Sequence, residues 1–347
     1  MAPEARMSTK SKPTLQDVAR LAGVSGMTVS RALSKPDVVS EQTRLKVEQA
    51  VRELGYVPNL AASQLVTRRS GIVGALITTI TNPILATTIE ILQQGLARAG
   101  YHLLIGETRF SQEEEGKLLR AFLGRQLDGL ILAYGYHAPE TLELLQSTDV
   151  PVIELWDLPE GEMPRQPVGQ VVGFSNWAAG AAAGRHLVEC GYHRPAFFGY
   201  DDERENLRFA GFRQAVLDGL GIEPQRFNTS PVPHIDDGVE VIQRIARGEI
   251  NCDSAFFTND MPAIGALFTC QRLGVRVPDE LAICGFGDLP IARVAMPSLT
   301  TVRIPAERVA NATVELLCQR IRGEQSWDAL VDVGSELVAR ESTALRR

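Results

Sequence analysis

Residues 14–65 read TLQDVARLAGVSGMTVSRALSKPDVVSEQTRLKVEQAVRELGYVPNLAASQL, and three short helices can be laid on them before the rest of the chain is consulted. Thr14 followed three residues later by Asp17 has the spacing of a capping box, and Leu15, Val18, Ala19 and Ala22 then recur on one apolar stripe. Gly23 breaks this helix and Gly23-Val24-Ser25 makes a tight turn. A second helix over residues 26–33 turns Val29 and Leu33 inward and leaves Met27, Thr28, Ser30 and Arg31 outside. A third, over residues 41–54, is capped by Ser40, buries Leu45, Val47, Val51 and Leu54, and ends at Gly55. Helix, tight turn and helix at this spacing form a helix-turn-helix, whose second helix enters the major groove of a duplex. There Arg31 offers a fork to guanine edges, and Thr28 and Ser30 reach bases or phosphates. Gly26 and Met27 can make no bidentate contact, so the half-site is not readable.

The stretch resembles the LacI/GalR repressor family in Leu15-x-Asp17-Val18-Ala19, Gly23-Val24-Ser25, Thr28-Val29-Ser30-Arg31 and Gly55-Tyr56-x-Pro58-Asn59. The resemblance implies that residues 59–67 are a hinge helix that folds on operator DNA. It also implies that Leu65 from each subunit of a dimer wedges into the minor groove and kinks the duplex, so that deformability is read along with base edges. It places Thr14, Ser25, Gly26, Met27, Thr28, Ser30, Arg31, Tyr56, Asn59, Ala62 and Leu65 at DNA-facing positions.

The formal charge of −7 over 347 residues looks wrong for a DNA binder until it is split by position. Residues 1–69 hold eleven Lys or Arg against six Asp or Glu, and the rest holds 24 against 36, so the two parts carry +5 and −12. Salt-dependent affinity for phosphate is thereby confined to the small N-terminal part. Nothing in residues 1–30 resembles a signal peptide and no apolar run approaches the ~18 residues of a membrane span, which predicts a cytoplasmic protein without membrane contact. The five cysteines (190, 252, 270, 284 and 318) have no CxxC pair and the histidines (102, 137, 186, 193 and 234) no ligand spacing, so free buried thiols and no metal are expected. GxxxxGK(S/T), GxSxG and HExxH are absent. Gly285-Phe286-Gly287-Asp288-Leu289-Pro290 begins like a dinucleotide-binding loop, but Pro290 stands where the third glycine belongs. The reading is of no enzyme and no cofactor. Asn228-Thr229-Ser230 and Asn311-Ala312-Thr313 fit glycosylation triplets by chance.

From residue 72 the chain alternates strand and helix, the pattern of doubly wound parallel sheets. Strands are expected at 72–77, 101–106, 129–133, 152–155, 171–174, 196–200, 255–257 and 281–286. Helices are expected from Asn82-Pro83 to 99, then at 112–125, 141–147, 177–190, 206–220, 238–246, 262–273 and 306–322. The order resembles the family's periplasmic-binding-protein-like sensor, with Pro297-Ser298-Leu299-Thr300-Thr301-Val302 as the segment that crosses back. The expected division is a disordered arm at 1–12, an all-α helix-turn-helix domain at 13–58, a hinge helix and linker at 59–69, and a bilobed α/β sensor and dimerisation domain at 70–347. Its first lobe spans about 70–171 and 303–328, its second about 172–300 and 329–347.

Bilobed α/β bodies bind small molecules where the carboxyl ends of their strands face each other. The resemblance carries Arg208, in Asn206-Leu207-Arg208-Phe209-Ala210-Gly211-Phe212, onto an effector-contacting arginine whose fork satisfies two oxygens at once. It carries Asn259-Asp260 onto the family's NDxxA turn, and Thr78, Thr79 and Asn82 with Phe174, Ser175 and Asn176 onto cleft-facing positions. Asp288 follows Gly285-Phe286-Gly287, where many relatives hold an acidic pair, and Trp156 stands where sugar-responsive relatives often hold Asp. Fewer carboxylates and the cations of His137, Arg204 and Arg208 favour an anionic ligand. Tyr136-His137-Ala138-Pro139, Glu154-Leu155-x-Asp157, Asp202-Glu203-Arg204 and Thr269-Cys270-Gln271-Arg272-Leu273-Gly274 resemble the gluconate-utilisation repressors of the family. The implied effector is a sugar acid such as gluconate or a phosphorylated or keto derivative. A neutral sugar, a purine or a protein corepressor remain alternatives.

Overall fold

The computed structural model describes residues 13–34, 36–57, 69–161, 165–324 and 330–345. The arm and the hinge, with the assignments to Asn59, Ala62 and Leu65, lie outside them. The chain divides into two compact units, Met1–Ser70 and Gly71–Arg347.

The small unit holds α1 (Leu15–Ala22), α2 (Gly26–Ser34) and α3 (Glu41–Leu54). The capping box at α1 forms: the Thr14 backbone N–H donates to Asp17 Oδ2 at 2.9 Å and the Asp17 N–H donates to Thr14 Oγ1 at 3.3 Å. We expect Thr14→Ala to destabilise this helix by about 1 kcal/mol, read as roughly fivefold faster hydrogen exchange at the α1 amides. Val18, Val29 and Val47 are fully buried at the centre. Leu45, expected in this core, is 52 % exposed. The buried stripe of α3 is Val47, Ala50, Val51 and Leu54, and Leu45 lies roughly 200° round the helix from Val47. Tyr56, expected at the DNA face, is buried (8 % exposed) among the three helices. Gly55 at φ 60° turns the chain back, so that the Tyr56 N–H donates to the Val51 carbonyl at 3.0 Å and the ring follows it inward.

The large unit contains two six-stranded sheets. The first runs in the order β11 (Leu330–Asp332), β5 (Gln170–Phe174), β4 (Val152–Asp157), β3 (Gly129–Leu132), β1 (Ile72–Ile77), β2 (His102–Glu107). All its pairs are parallel, with Val73 in register with both Leu103 and Gly129. The second runs β12 (Glu336–Val338), β10 (Thr300–Arg303), β9 (Ala282–Gly287), β8 (Ser254–Phe257), β6 (Pro195–Gly199), β7 (Gln225–Asn228), parallel except for β12 against β10. The intervening helices are α4 (Pro83–Arg98), α5 (Gln112–Leu123), α6 (Pro139–Gln146), α7 (Asn176–Glu189), α8 (Glu203–Leu220), α9 (Ile235–Ala246), α10 (Asp260–Leu273), α11 (Pro290–Val294) and α12 (Ala306–Ile321). α4 packs on α12, α7 on α8 and α9 on α10.

These pairings move the expected lobe limits. β5 belongs whole to the first sheet, so a limit at 171/172 would cut it. The C-terminal run gives one strand to each sheet, so residues 330–332 belong with the first lobe and not the second. The segment around residues 297–302 supplies β10 of the second sheet, and the chain crosses only after Arg303. One buried apolar cluster takes residues from both sheets, and a further cluster belongs to each sheet alone; at the strand ends Trp156 packs on Phe174 within the first sheet (6.5 Å between centroids) and Phe174 meets Phe286 of the second (6.0 Å). All five cysteines are free and buried, and burial pushes the Cys252 and Cys270 thiols up to about 12.

Candidate ligand cleft and nucleic-acid face

On α2 the exposed residues are Met27 (67 %), Ser30 and Arg31. Ser25 and Thr28 are tied locally: the Thr28 N–H donates to Ser25 Oγ at 3.1 Å and the two hydroxyls lie 2.8 Å apart. A Cβ on Gly26 would sit 3.0 Å from Leu15 Cδ2, so this glycine lets α2 approach α1. The Thr14 hydroxyl is engaged with Asp17 Oδ2 at 2.6 Å.

The carboxyl ends of both sheets open onto one cleft, about 860 Å³ with the solvent at its open mouth included. Thr78, Asn82, Trp156 and Phe174 line it from the first sheet, and Arg204, Arg208 and Asn259 from the second. Two of these are also helix caps. Asn82 Oδ1 accepts from the Ile84 N–H at 3.0 Å, and Asn259 Oδ1 from the Met261 N–H at 2.8 Å.

Arg208 is 3 % exposed. Its Nη1 donates to Glu205 Oε1 at 2.6 Å, its Nη2 donates to Asn176 Oδ1 at 2.7 Å, and its guanidinium lies 3.8 Å from the Phe286 ring centroid. Burial lowers its pKa against the pull of Glu205, which leaves an arginine charged. Asn176 in turn donates to Asp157 Oδ1 at 3.1 Å. Arg204 lies 3.9 Å from Asp157 and 3.7 Å from Asp202, with its guanidinium 4.8 Å from the Tyr134 ring centroid. Burial works against its charge, and Asp157 and Asp202 more than restore it. Burial also pushes the Asp157 and Glu205 carboxyls above the usual range, despite Arg204 and Arg208 respectively. Trp156 holds a left-handed backbone at φ 80°, a strain of about 1–3 kcal/mol. Its buried Nε1, Arg208 Nε and Asp157 Oδ2 have no hydrogen-bond partner among the described residues.

Several expected cleft residues lie elsewhere. His137 has a 1 % exposed side chain whose Nδ1 is 2.9 Å from Glu115 Oε1, because the buried Glu115 on α5 draws the ring away from the cleft. Asp288 is held by Arg303 Nε at 2.7 Å and Arg340 Nη2 at 2.5 Å, side chains from β10 and the C-terminal segment. Thr79 is buried, its hydroxyl 2.9 Å from that of Thr81. The expectation of a carboxylate-poor cleft is corrected as well: Asp157, Asp202 and Glu205 all line it. Asp157 ends β4, whereas Asp202 and Glu205 stand at a helix start, where Asp202 Oδ1 caps α8 by accepting from the Glu205 N–H at 2.8 Å. Thr229 and Ser230, set aside within a chance glycosylation triplet, line the cleft too, as do Phe110, Tyr200 and Phe286.

Residues 14–59 match the model of bacterial regulatory proteins, lacI family, and residues 185–343 that of a periplasmic binding protein-like domain. The chain is 36 % identical over 329 residues to the HTH-type transcriptional regulator GntR of Escherichia coli strain K12, covering 94 % of this chain and 98 % of the relative. It is 36 % identical over 337 residues to the regulator of the same name from Pseudomonas aeruginosa PAO1, covering 96 % and 97 %. A solved LacI-family transcriptional regulator from Silicibacter pomeroyi aligns with a TM-score of 0.86 at 28 % identity, covering 96 % of this chain and all of that one.

Proposed function

Since the chain belongs to the LacI family of bacterial transcriptional regulators, we propose that it represses from a palindromic operator as a dimer and is released when a sugar acid enters the cleft. It is a DNA-binding regulator and not an enzyme. In this reading α2 lies in the major groove with Arg31 at base edges, and residues 59–67 carry the Leu65 wedge into the minor groove. Effector binding favours an arrangement of the two lobes in which paired hinges no longer pack, and DNA affinity falls. The site of action is the cytoplasm.

One observation carries the effector assignment. Two guanidiniums, Arg204 and Arg208, stand with two unpaired donors, Trp156 Nε1 and Arg208 Nε, in one cleft. A carboxylate flanked by hydroxyls supplies acceptors for them. The three carboxylates of the same cleft favour the second reading, a neutral sugar gripped by its hydroxyls. Fluorescence anisotropy on palindromic operator candidates, with gluconate, 6-phosphogluconate, 2-ketogluconate, ribose or hypoxanthine added, separates them. Release by a sugar acid alone supports the proposal. Release by ribose alone replaces it with the neutral-sugar reading.

Arg31→Ala in the same assay is expected to weaken operator binding by about 1–3 kcal/mol, roughly 5- to 150-fold. Calorimetric affinity of the DNA-free protein for its effector should be unchanged.

A further inference from the structure

The charges of the cleft do not balance once an anion is added. Asp157, Asp202 and Glu205 face Arg204 and Arg208, three carboxylates against two guanidiniums, and a ligand carboxylate makes four. In a site closed off from water an uncompensated charge is strongly unfavourable, and a titratable neighbour relieves it by changing its protonation. Two of the three carboxylates belong to one buried path that crosses the lobes: Asp157 accepts from Asn176, Asn176 accepts from Arg208, and Arg208 donates to Glu205. Asp157 sits at the end of β4, and its Oδ2 has no partner among the described residues, so it offers a place for a proton.

We propose that an anionic effector binds this cleft together with a proton taken up by the Asp157–Glu205 pair. This rests on the sugar-acid reading and gives that site a regulation of its own. The proton comes from solvent and adds to a carboxylate oxygen; the acid formed is a donor that the ligand's oxygens can accept. Other charged groups around the pair are already committed. Arg165 Nη2 donates to the Asp157 carbonyl oxygen at 2.7 Å and its Nη1 is bonded to Glu154. Glu160 accepts from Ser175 Oγ and from the Asn176 and Trp177 N–H groups at the start of α7. Glu203 accepts from the Tyr134 hydroxyl at 3.0 Å, Arg204 stands between Asp157 and Asp202, and the Tyr136 ring faces Arg165. Burial already pushes both members of the pair upward, the direction that eases uptake.

The sign follows from linkage. A ligand anion raises the pair's pKa above its free value, so affinity is greatest below the free pKa and falls as pH rises through the liganded one, by up to ~10-fold per pH unit for one proton. The carboxyls of gluconate and 2-ketogluconate stay ionised throughout this range, so with these two the proton is not the ligand's own, whereas the phosphate of 6-phosphogluconate titrates near about pH 6.

The test is calorimetric titration of the full-length protein with sodium gluconate and the other sugar acids, proton uptake being read from the unphosphorylated ones, gluconate and 2-ketogluconate. Each is run in phosphate and in Tris buffer at about pH 7, then repeated at about pH 6 and about pH 8. Buffer-dependent heats reporting on the order of one proton taken up, with affinity rising toward about pH 6, are expected. Asp157→Asn should cut the uptake to less than half, and Glu205→Gln serves as a second variant. Sugar-acid binding with buffer-independent heats and pH-independent affinity overturns the proposal and leaves the sugar-acid reading standing. Unchanged uptake in both folded variants overturns the assignment to this pair. If no sugar acid binds at any of these pH values, the proposal and the reading beneath it both fall.

Discussion

Arg208→Ala is expected to abolish the response of DNA binding to the effector and to cost the two-sheet unit about 3–5 kcal/mol of stability. Both effects have the same origin. The guanidinium is buried, stacks on Phe286 and holds Glu205 and Asn176, so truncation leaves Glu205 with no ion-pair partner among the described residues and frees Asn176 from its orienting partner. The unpaired carboxylate dominates the stability loss, whereas the effector loses a donor in the cleft. Pairing Arg208→Met with Glu205→Leu separates the two effects. Replacing both charges by apolar side chains of similar size should recover most of the stability, and the double variant should still ignore the effector. Thermal unfolding and operator anisotropy read the two outcomes independently.

Gly180→Ala is expected to destabilise the same unit by about 3 kcal/mol or more, at the upper end of overpacking, although alanine is the better helix former. A Cβ at Gly180 would stand 1.9 Å from the Arg208 carbonyl oxygen, and one at Gly211 would stand 1.9 Å from that of Trp177. α7 and α8 therefore cross backbone against backbone, and what an added methyl meets is a carbonyl with no rotamer to yield. The crossing also fixes where Arg208 points, since Asn176 opens α7 and Arg208 lies on α8. The variant should accordingly lose effector affinity along with a large part of its melting temperature. A melting temperature and effector affinity equal to wild type would show that the helices separate at no cost.

What could be read in the sequence was local. Thr14 with Asp17, Gly23, Ser40 and Gly55 each act within a few residues, and α1 to α3 form where those signals put them. β1, β3 and β8 are apolar runs buried along nearly their whole length. By contrast, β7, β11 and β12 are strands of three or four residues with half-exposed, mixed side chains, and only pairing with distant partners makes them strands. The cleft divides along the same line. Thr78, Asn82, Trp156, Phe174 and Asn259 sit at strand ends that the order of elements already brings together. His137 and Asp288 failed because their side chains are turned by partners far along the chain, Glu115 in one case and Arg303 and Arg340 in the other. Asp202 and Glu205 were hidden by their own local role, since a helix cap and a first-turn acid explain themselves without a ligand.

If the cleft and the operator are coupled through one chain, the coupling is reciprocal. The most direct measurement is the affinity of the effector that releases DNA, determined once on free protein and once on protein saturated with operator. Weaker binding is expected on the operator complex, by the same factor by which the effector weakens operator affinity. Equal effector affinity in the two states would contradict the coupling.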